Sequence, residues 1–411
     1  MQINKFINKK KGLPSFCTSN VDVLKTIFFF CQTNKFPCLI ESTSNQVNQF
    51  GGYTNKTPRM FYKNKSILSK KFNLKKNLFL GGDHLGPLPF KNQNSNKAII
   101  NSIRLINNYL KSDFCKIHID TSIKCKNDRE INQKIIFERT KKILTKINLK
   151  KKIKKIFLVI GTEVPLSGSN EKGKISITED KQIMEEVKQF KKLLLSLYNR
   201  KVKFALVIEP GMRYMHHTLT KPKFSNFKLK RNFSLKNNFV YEAHSTDYQN
   251  LKTLKNLTKN NFKFLKVGPE LTFRYSRSLL FMRKIEEKFI SDKKSNFETQ
   301  IVKTMLSDNK YWKDYYTAKN LKIKKRLILN SKLDRMRYYF NDKKIIRSIH
   351  ILRRNINKIS RENIEKFLKY IDLNKKFKNL TKSGLSNFEI IVLLFLSETL
   401  KKYYRACGYK L

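Results

Sequence analysis

Along the chain, short runs of apolar, β-branched and aromatic residues alternate with longer stretches whose apolar positions recur every three to four residues. The runs are LPSFCTS (13–19), PCLIES (37–42), LFLGGD (78–83), CKIHID (115–120), IFLVIGTE (156–163), FALVIEPG (204–211), FVYEAHS (239–245) and FKFLKVGPE (262–270). Each ends in small or polar residues, as a strand entering a loop does. Stretches such as 21–34, 95–112, 129–149, 177–199 and 271–291 have helical spacing and enough length to bring the next strand back parallel. Eight strand-then-helix units in about 290 residues predict a (β/α)8, or TIM, barrel. An open doubly wound sheet usually carries a glycine-rich dinucleotide turn after its first strand, and none is present here.

After residue 295 the strand signals stop. Residues 1–295 are therefore assigned to the barrel and 296–411 to a helical C-terminal subdomain with two aromatic clusters, YWKDYY (311–316) and RMRYYF (335–340). Ser386 followed three residues later by Glu389 is a capping box, and an apolar run follows at once. Neither an internal repeat nor a Pro/Gly/Ser-rich linker is present.

Composition changes this picture little. The 411 residues are 40% hydrophobic, which makes the chain globular. Its 88 Lys and Arg against 31 Asp and Glu give a formal charge of +57. Such a charge ordinarily suggests a polyanionic partner. Here Lys is spread through every segment and travels with excess Asn and Ile, the signature of a compositional drift at tolerant surface positions. KINLKKKIKKIF (146–157) reads as a solvated helix end entering a strand, and no nucleic-acid partner is expected. Six cysteines without CxxC spacing read as buried thiols in a reducing compartment. The basic N-terminus lacks the apolar segment of a signal peptide. The run Ile390 to Leu396 is far short of the roughly 20 residues a span requires. A cytoplasmic protein without membrane contact is expected.

In such a barrel the residues closing each strand converge on one mouth. They are Glu41, the pair Asp83 and His84, His118 and Asp120, Glu163, Glu209, Glu242 and His244, and Lys266. Carboxylates and imidazoles gathered in a partly desolvated pocket repel and shift one another, and a divalent cation resolves that repulsion. His84, Glu163 and His244 around an open position suit Zn²⁺ or a similar ion acting as Lewis acid. Asp83, next to a ligand, suits proton transfer on a bound sugar, with Glu41 and Lys266 beside it. Ser44, Asn45, Asp120, Glu209 and Glu242 are assigned to substrate binding. His118, inside the alternating KIHID, reads as an ordinary hydrogen-bonded residue, and His216 and His217 as loop residues.

IESTSNQVNQFGGYT (40–54), GGDHLGP (81–87), CKIHIDTS (115–122), IGTEVPLSG (160–168), YEAHSTDYQ (241–249), LKVGPELTF (265–273) and DRMRYYF (334–340) together closely resemble the Z-type accessory subunit of class II D-tagatose-bisphosphate aldolases. The likeness runs in order from about Leu13 to Phe340. It implies a TIM barrel distantly similar to zinc-dependent ketose-bisphosphate aldolases, in which an Asp-His pair supplies a proton donor and a metal ligand, the positions of Asp83 and His84. It further implies an oligomeric assembly with a catalytic Y-type subunit, in galactitol or N-acetylgalactosamine catabolism. Some relatives are regarded as metal-dependent ketose epimerases, which leaves a self-sufficient aldolase or epimerase as the alternative. Arg213 stands where the family commonly has an acidic residue and Glu209 where Gln is common.

Overall fold

A computed structural model describes residues 2–74, 76–161, 177–222, 227–318 and 320–411. Eight strands, β1 (Leu13–Cys17), β2 (Cys38–Thr43), β3 (Leu78–Leu85), β4 (Lys116–Ile119), β5 (Phe157–Ile160), β6 (Phe204–Val207), β7 (Val240–Ala243) and β8 (Phe262–Val267), form a closed barrel in sequence order. Every pair is parallel, and β8 closes on β1 through registers such as Ser15 with Lys266. Six strands lie inside the apolar runs, and β2 and β3 run one and two residues past the ends of theirs. Nearly every strand residue is buried, because the barrel interior covers one face and the ring of helices the other. The helices Val21–Thr33, Ser95–Lys111, Gln133–Lys146, Asp180–Tyr198 and Pro269–Phe289 fall where helical spacing predicts them.

The alternation of a regular strand sends neighbouring side chains to opposite faces. Asp83 and His84 escape that rule through a local irregularity. The β3–β4 register shifts between Gly82 and Leu85, and His84 takes a left-handed backbone with φ 48°. The extra residue lets both members of the pair face the mouth, and non-glycine residues in this conformation concentrate at functional sites.

Beyond residue 295 the described elements are helical, and they share one continuous apolar core with the barrel. The capping box forms as expected, with Ser386 and Glu389 satisfying each other's backbone N–H groups at the start of the helix Asn387–Ala406. That helix is tied to the barrel by polar contacts. The Tyr403 hydroxyl donates to the Thr246 carbonyl at 2.8 Å, the Tyr404 hydroxyl to Pro37 at 2.8 Å, and Lys402 pairs with Glu270 at 2.7 Å. The two aromatic clusters are not α-helical. Residues 311–316 form turns that run into irregular chain, and Arg335–Tyr339 is a 3-10 turn. Their rings stack on one another, Tyr311 on Tyr338 at 4.9 Å, and this packing overrides the helical pattern. All six cysteines are free thiols, and five are buried. Among the described residues no helix is long and apolar enough to cross a membrane.

Gly86, just past β3, is the tightest approach of two backbones at the mouth. A Cβ there would lie 1.6 Å from the carbonyl oxygen of Asp120. We expect Gly86→Ala to destabilise the fold by about 2 kcal/mol or more, because backbone rather than a flexible side chain must move. Urea denaturation measures it, and a loss within about 0.5 kcal/mol, the range of ordinary surface substitutions, would refute the contact.

Candidate functional site

The floor of the mouth is built on charge. Lys116 of β4 is fully buried, and its ammonium sits 2.5 Å from Glu41 of β2 and 2.6 Å from Glu242 of β7. The two carboxylates oppose burial for Lys116 and hold its pKa above the lysine range. Burial pushes Glu41 up to about 7 even against the attraction of Lys116, whereas Lys116 and His244 hold Glu242 below the carboxylate range despite its burial. Position 116 shares its face of β4 with positions 118 and 120 by the two-residue period of a strand, so the lysine below, His118 and Asp120 all project into one space.

Three imidazoles lie above this floor. The ring centroids of His84, His118 and His244 are 5.0, 5.0 and 5.1 Å apart. Each ring has one nitrogen against a carboxylate: His84 Nδ1 at 2.7 Å from Asp120, His118 Nδ1 at 2.9 Å from Asp83, and His244 Nε2 at 2.9 Å from Glu242. Among the described residues, the opposite nitrogens of His118 (Nε2) and His244 (Nδ1) are buried without a hydrogen-bond partner, and Nε2 of His84 has only Asp83 at 3.7 Å. Burial holds both His118 and His244 below the ordinary imidazole range, so they are neutral at neutral pH and have lone pairs to give. Carboxylate-backed imidazoles with free nitrogens are what metal sites present. A tetrahedral ion bonded at about 2.1 Å to three imidazoles places their centroids about 5 Å apart. Ligand atoms of Asp83, His118, Glu242 and His244 also lie within 4.8 Å of one another. This buried group could therefore bind a metal.

Asp83 is fully buried, with Oδ1 toward His118 and Oδ2 ion-paired to Lys266. Burial alone would raise its pKa, but His84, Lys266 and His118 hold it well below the carboxylate range. The same pairing keeps Lys266 protonated against burial. Lys266, His84 and Asp120 line a cavity of 710 Å³ that opens from the mouth, and Asn45 lines it too. Ser44 and Glu242 are buried and do not line it, and among the described residues the Ser44 hydroxyl finds no partner. Glu209 accepts the backbone N–H groups of Gly211 and Met212 at 2.8 and 3.2 Å and so shapes the loop after β6. The Arg213 N–H donates to the Thr220 hydroxyl in that loop. Glu163 lies outside the described residues. His216 hydrogen-bonds Ser331 at 2.8 Å, away from the three imidazoles.

The structure thus brings together Glu41, Asp83, His84, Asp120, Glu242, His244 and Lys266 from the sequence set, adds Lys116, and gives His118, read from the sequence as an ordinary hydrogen-bonded residue, a place in the cluster. His118 joins because the two-residue period of KIHID turns it to the same face as Lys116 and Asp120. Lys116 had the same signal, but one lysine among so many carried no weight in the sequence.

Fold and cluster define a class: a parallel (β/α)8 barrel with a buried imidazole-carboxylate site of metal-binding type at the C-terminal ends of its strands. The family profile of the D-tagatose-1,6-bisphosphate aldolase subunit GatZ/KbaZ-like matches residues 2–408. The chain belongs to that family. It is 30% identical over 359 residues to the D-tagatose-1,6-bisphosphate aldolase subunit GatZ of Escherichia coli O1:K1 / APEC, covering 84% of each chain. To the subunit of the same name from Escherichia coli O8 (strain IAI1) it is 29% identical over 414 residues, covering 97% of this chain and 96% of that one. A crystal structure described as a probable tagatose 6 phosphate kinase from Sinorhizobium meliloti 1021 has a TM-score of 0.83 at 25% identity, covering 97% of this chain and all of that one.

Lys116→Met removes the cation that both glutamates share. We expect a loss of roughly 3–5 kcal/mol in urea denaturation, the usual scale for a buried charge stripped of its partner. A loss below about 1 kcal/mol would show that the glutamates do not depend on it.

Proposed function

We propose that this chain is the Z-type subunit of a class II D-tagatose-1,6-bisphosphate aldolase, acting in the cytoplasm with a catalytic Y-type partner subunit, and that its own mouth takes a divalent metal and a sugar phosphate. The family and the named relatives support the first part. The observation that carries the second is the triangle of carboxylate-backed imidazoles, with two buried nitrogens that nothing among the described residues satisfies. His118 and His244, joined by His84, are the proposed ligands, and Zn²⁺ suits a neutral, nitrogen-rich set with room for one more donor. A bound ion of this kind supplies Lewis-acid polarisation of a ketose carbonyl.

The chain's own groups do the rest. Lys266 faces the cavity as a cation and stabilises negative charge that develops on a sugar oxygen. Asp83, held between His118 and Lys266, takes and returns the proton, and Glu41 with its raised pKa is a reserve of protons beneath it. Asn45 and Asp120 line the cavity and hold the sugar hydroxyls. A second reading, a self-sufficient metal-dependent aldolase or epimerase, is favoured by the completeness of this set, since a purely structural partner has no use for buried, unsatisfied imidazole nitrogens.

Two measurements test these readings. Elemental analysis of purified protein is expected to find about one divalent ion per chain, with lower occupancy in His118→Ala and in His244→Ala, because too few donors remain. Unchanged occupancy in both variants, or no metal in wild type prepared without chelator, would remove the metal site. Asp83→Asn is then assayed alone and with a Y-type subunit on ketose and ketose-phosphate substrates. If the barrel performs chemistry, turnover falls by roughly 10²-fold or more, the scale of a positioned acid/base group. Full activation of the partner by the variant, with no turnover by wild type alone, would leave only the accessory role.

A further inference from the structure

The 710 Å³ cavity has a second source of residues. Besides His84, Asp120 and Lys266 of the barrel mouth, it is lined by Arg335, Arg337 and Tyr338 of the C-terminal segment. That volume lies within the range of about 300–1,000 Å³ that small-ligand sites occupy.

Arg335 is 4% exposed, and its guanidinium lies flat on Tyr315, with Cζ 3.2 Å from the ring centroid. Among the described residues its Nε has no hydrogen-bond partner, and Nη1 reaches only the Tyr338 hydroxyl at 3.4 Å. Arg337 is anchored by Nη1 to the carbonyls of Leu333 and Asp334, both at 2.6 Å, and its Nη2 lies 3.2 Å from the same Tyr338 hydroxyl. Among the described residues neither arginine makes an ion pair with a carboxylate.

The carboxylates near the cavity are committed elsewhere. Asp334 faces Thr272 and Ser276, and burial pushes its carboxyl up to about 7 although Arg337 and, more weakly, Arg335 pull it down. Asp22 is held by both contacts to Arg353, at 2.7 and 2.8 Å, and Asp120 by His84 and Ser122. Asp247 caps the backbone N–H groups of Gly268 and Glu270 at 3.0 and 2.8 Å. A buried cation without a counter-ion is costly, and a stacked guanidinium presents a rigid fork that matches the oxygens of a phosphate.

Resting on the reading of this cavity as a sugar-phosphate site, we propose that Arg335 and Arg337 bind a phosphate monoester group of the substrate, so that the C-terminal segment selects phosphorylated over free ketoses. The aromatic stack fixes the fork before the ligand arrives, and Tyr338 bridges the two guanidinium groups by its hydroxyl.

The test is calorimetric titration of the full chain with inorganic phosphate, a ketose 6-phosphate and the same ketose without phosphate, on metal-loaded and on chelator-treated protein. Wild type is expected to bind inorganic phosphate in both preparations, since the site does not need the metal. Arg335→Gln is expected to weaken inorganic phosphate and the ketose phosphate at least tenfold each, with metal content and free-ketose affinity unchanged. Arg335→Lys, which keeps charge but loses the fork, should fall between them, and Lys151→Gln on the exposed surface should match wild type. Phosphate affinity equal to wild type in folded Arg335→Gln, or no phosphate binding by wild type, would overturn the proposal, and the second result reads on wild type alone whether or not the variant folds. Loss of phosphate binding on chelation would also overturn it. Absence of metal with phosphate binding intact would sink the metal reading and leave this one standing.

Discussion

The buried ammonium of Lys116 is the interaction on which the rest of the mouth depends. Two carboxylates and a lysine at the centre of a barrel would each carry a desolvation cost of several kcal/mol if isolated. Placed together, one cation offsets two acids unequally, and the inequality matters. Glu242 stays ionised and can hold His244 by its other oxygen, while Glu41 is driven toward its protonated form. Removing the lysine from this arrangement would release both acids at once and take the orientation of His244 with them. The layer under the site is therefore polar because the site above needs a fixed anion, whereas a hydrocarbon layer of the usual barrel kind would leave the imidazole unoriented.

The same logic repeats around the ring, with one carboxylate for each imidazole: Asp120 for His84, Asp83 for His118, Glu242 for His244. These six residues come from only three strands and their ends, β3, β4 and β7, so the parallel closure of the barrel is what makes them neighbours. The C-terminal segment completes the enclosure. Asp334 buries its carboxyl against the helix Pro269–Phe289 through Thr272 and Ser276, which anchors the turn that delivers Arg335 and Arg337 to the cavity. Tyr53, from the loop after β2, packs against Tyr338 at 4.8 Å and links that turn to the loop bearing Asn45.

Much of this was legible in the sequence, and the reasons are specific. The eight apolar runs mark the eight strands because a barrel strand is buried on both faces and leaves an unbroken signal. The polar residues that close those runs mark the mouth. What the pattern does not carry is the bulge at Gly82–Leu85, since nothing in GGDHLG states that His84 adopts a left-handed backbone, and a regular strand would send Asp83 and His84 to opposite faces. His118 was readable from the period of KIHID, yet one alternating histidine looks the same whether it bonds a backbone carbonyl or faces two others. That difference lies in β3 and β7, far away in sequence.

Lys116 and Arg335 show the limit of reasoning from charge. With 88 basic residues and a net charge of +57, no single cation stands out in the sequence, and the sum speaks to solubility and not to fold. Drift acts where water tolerates any polar residue, so it cannot place a cation at zero exposure between two glutamates, or one at 4% exposure on a tyrosine face. Those cations are held by structure and have to be accounted for one by one. Lys116 is neutralised from within the chain. Arg335 forms no ion pair among the described residues beyond the pull it exerts on the Asp334 carboxyl, and the phosphate proposed for the cavity would supply its counter-charge.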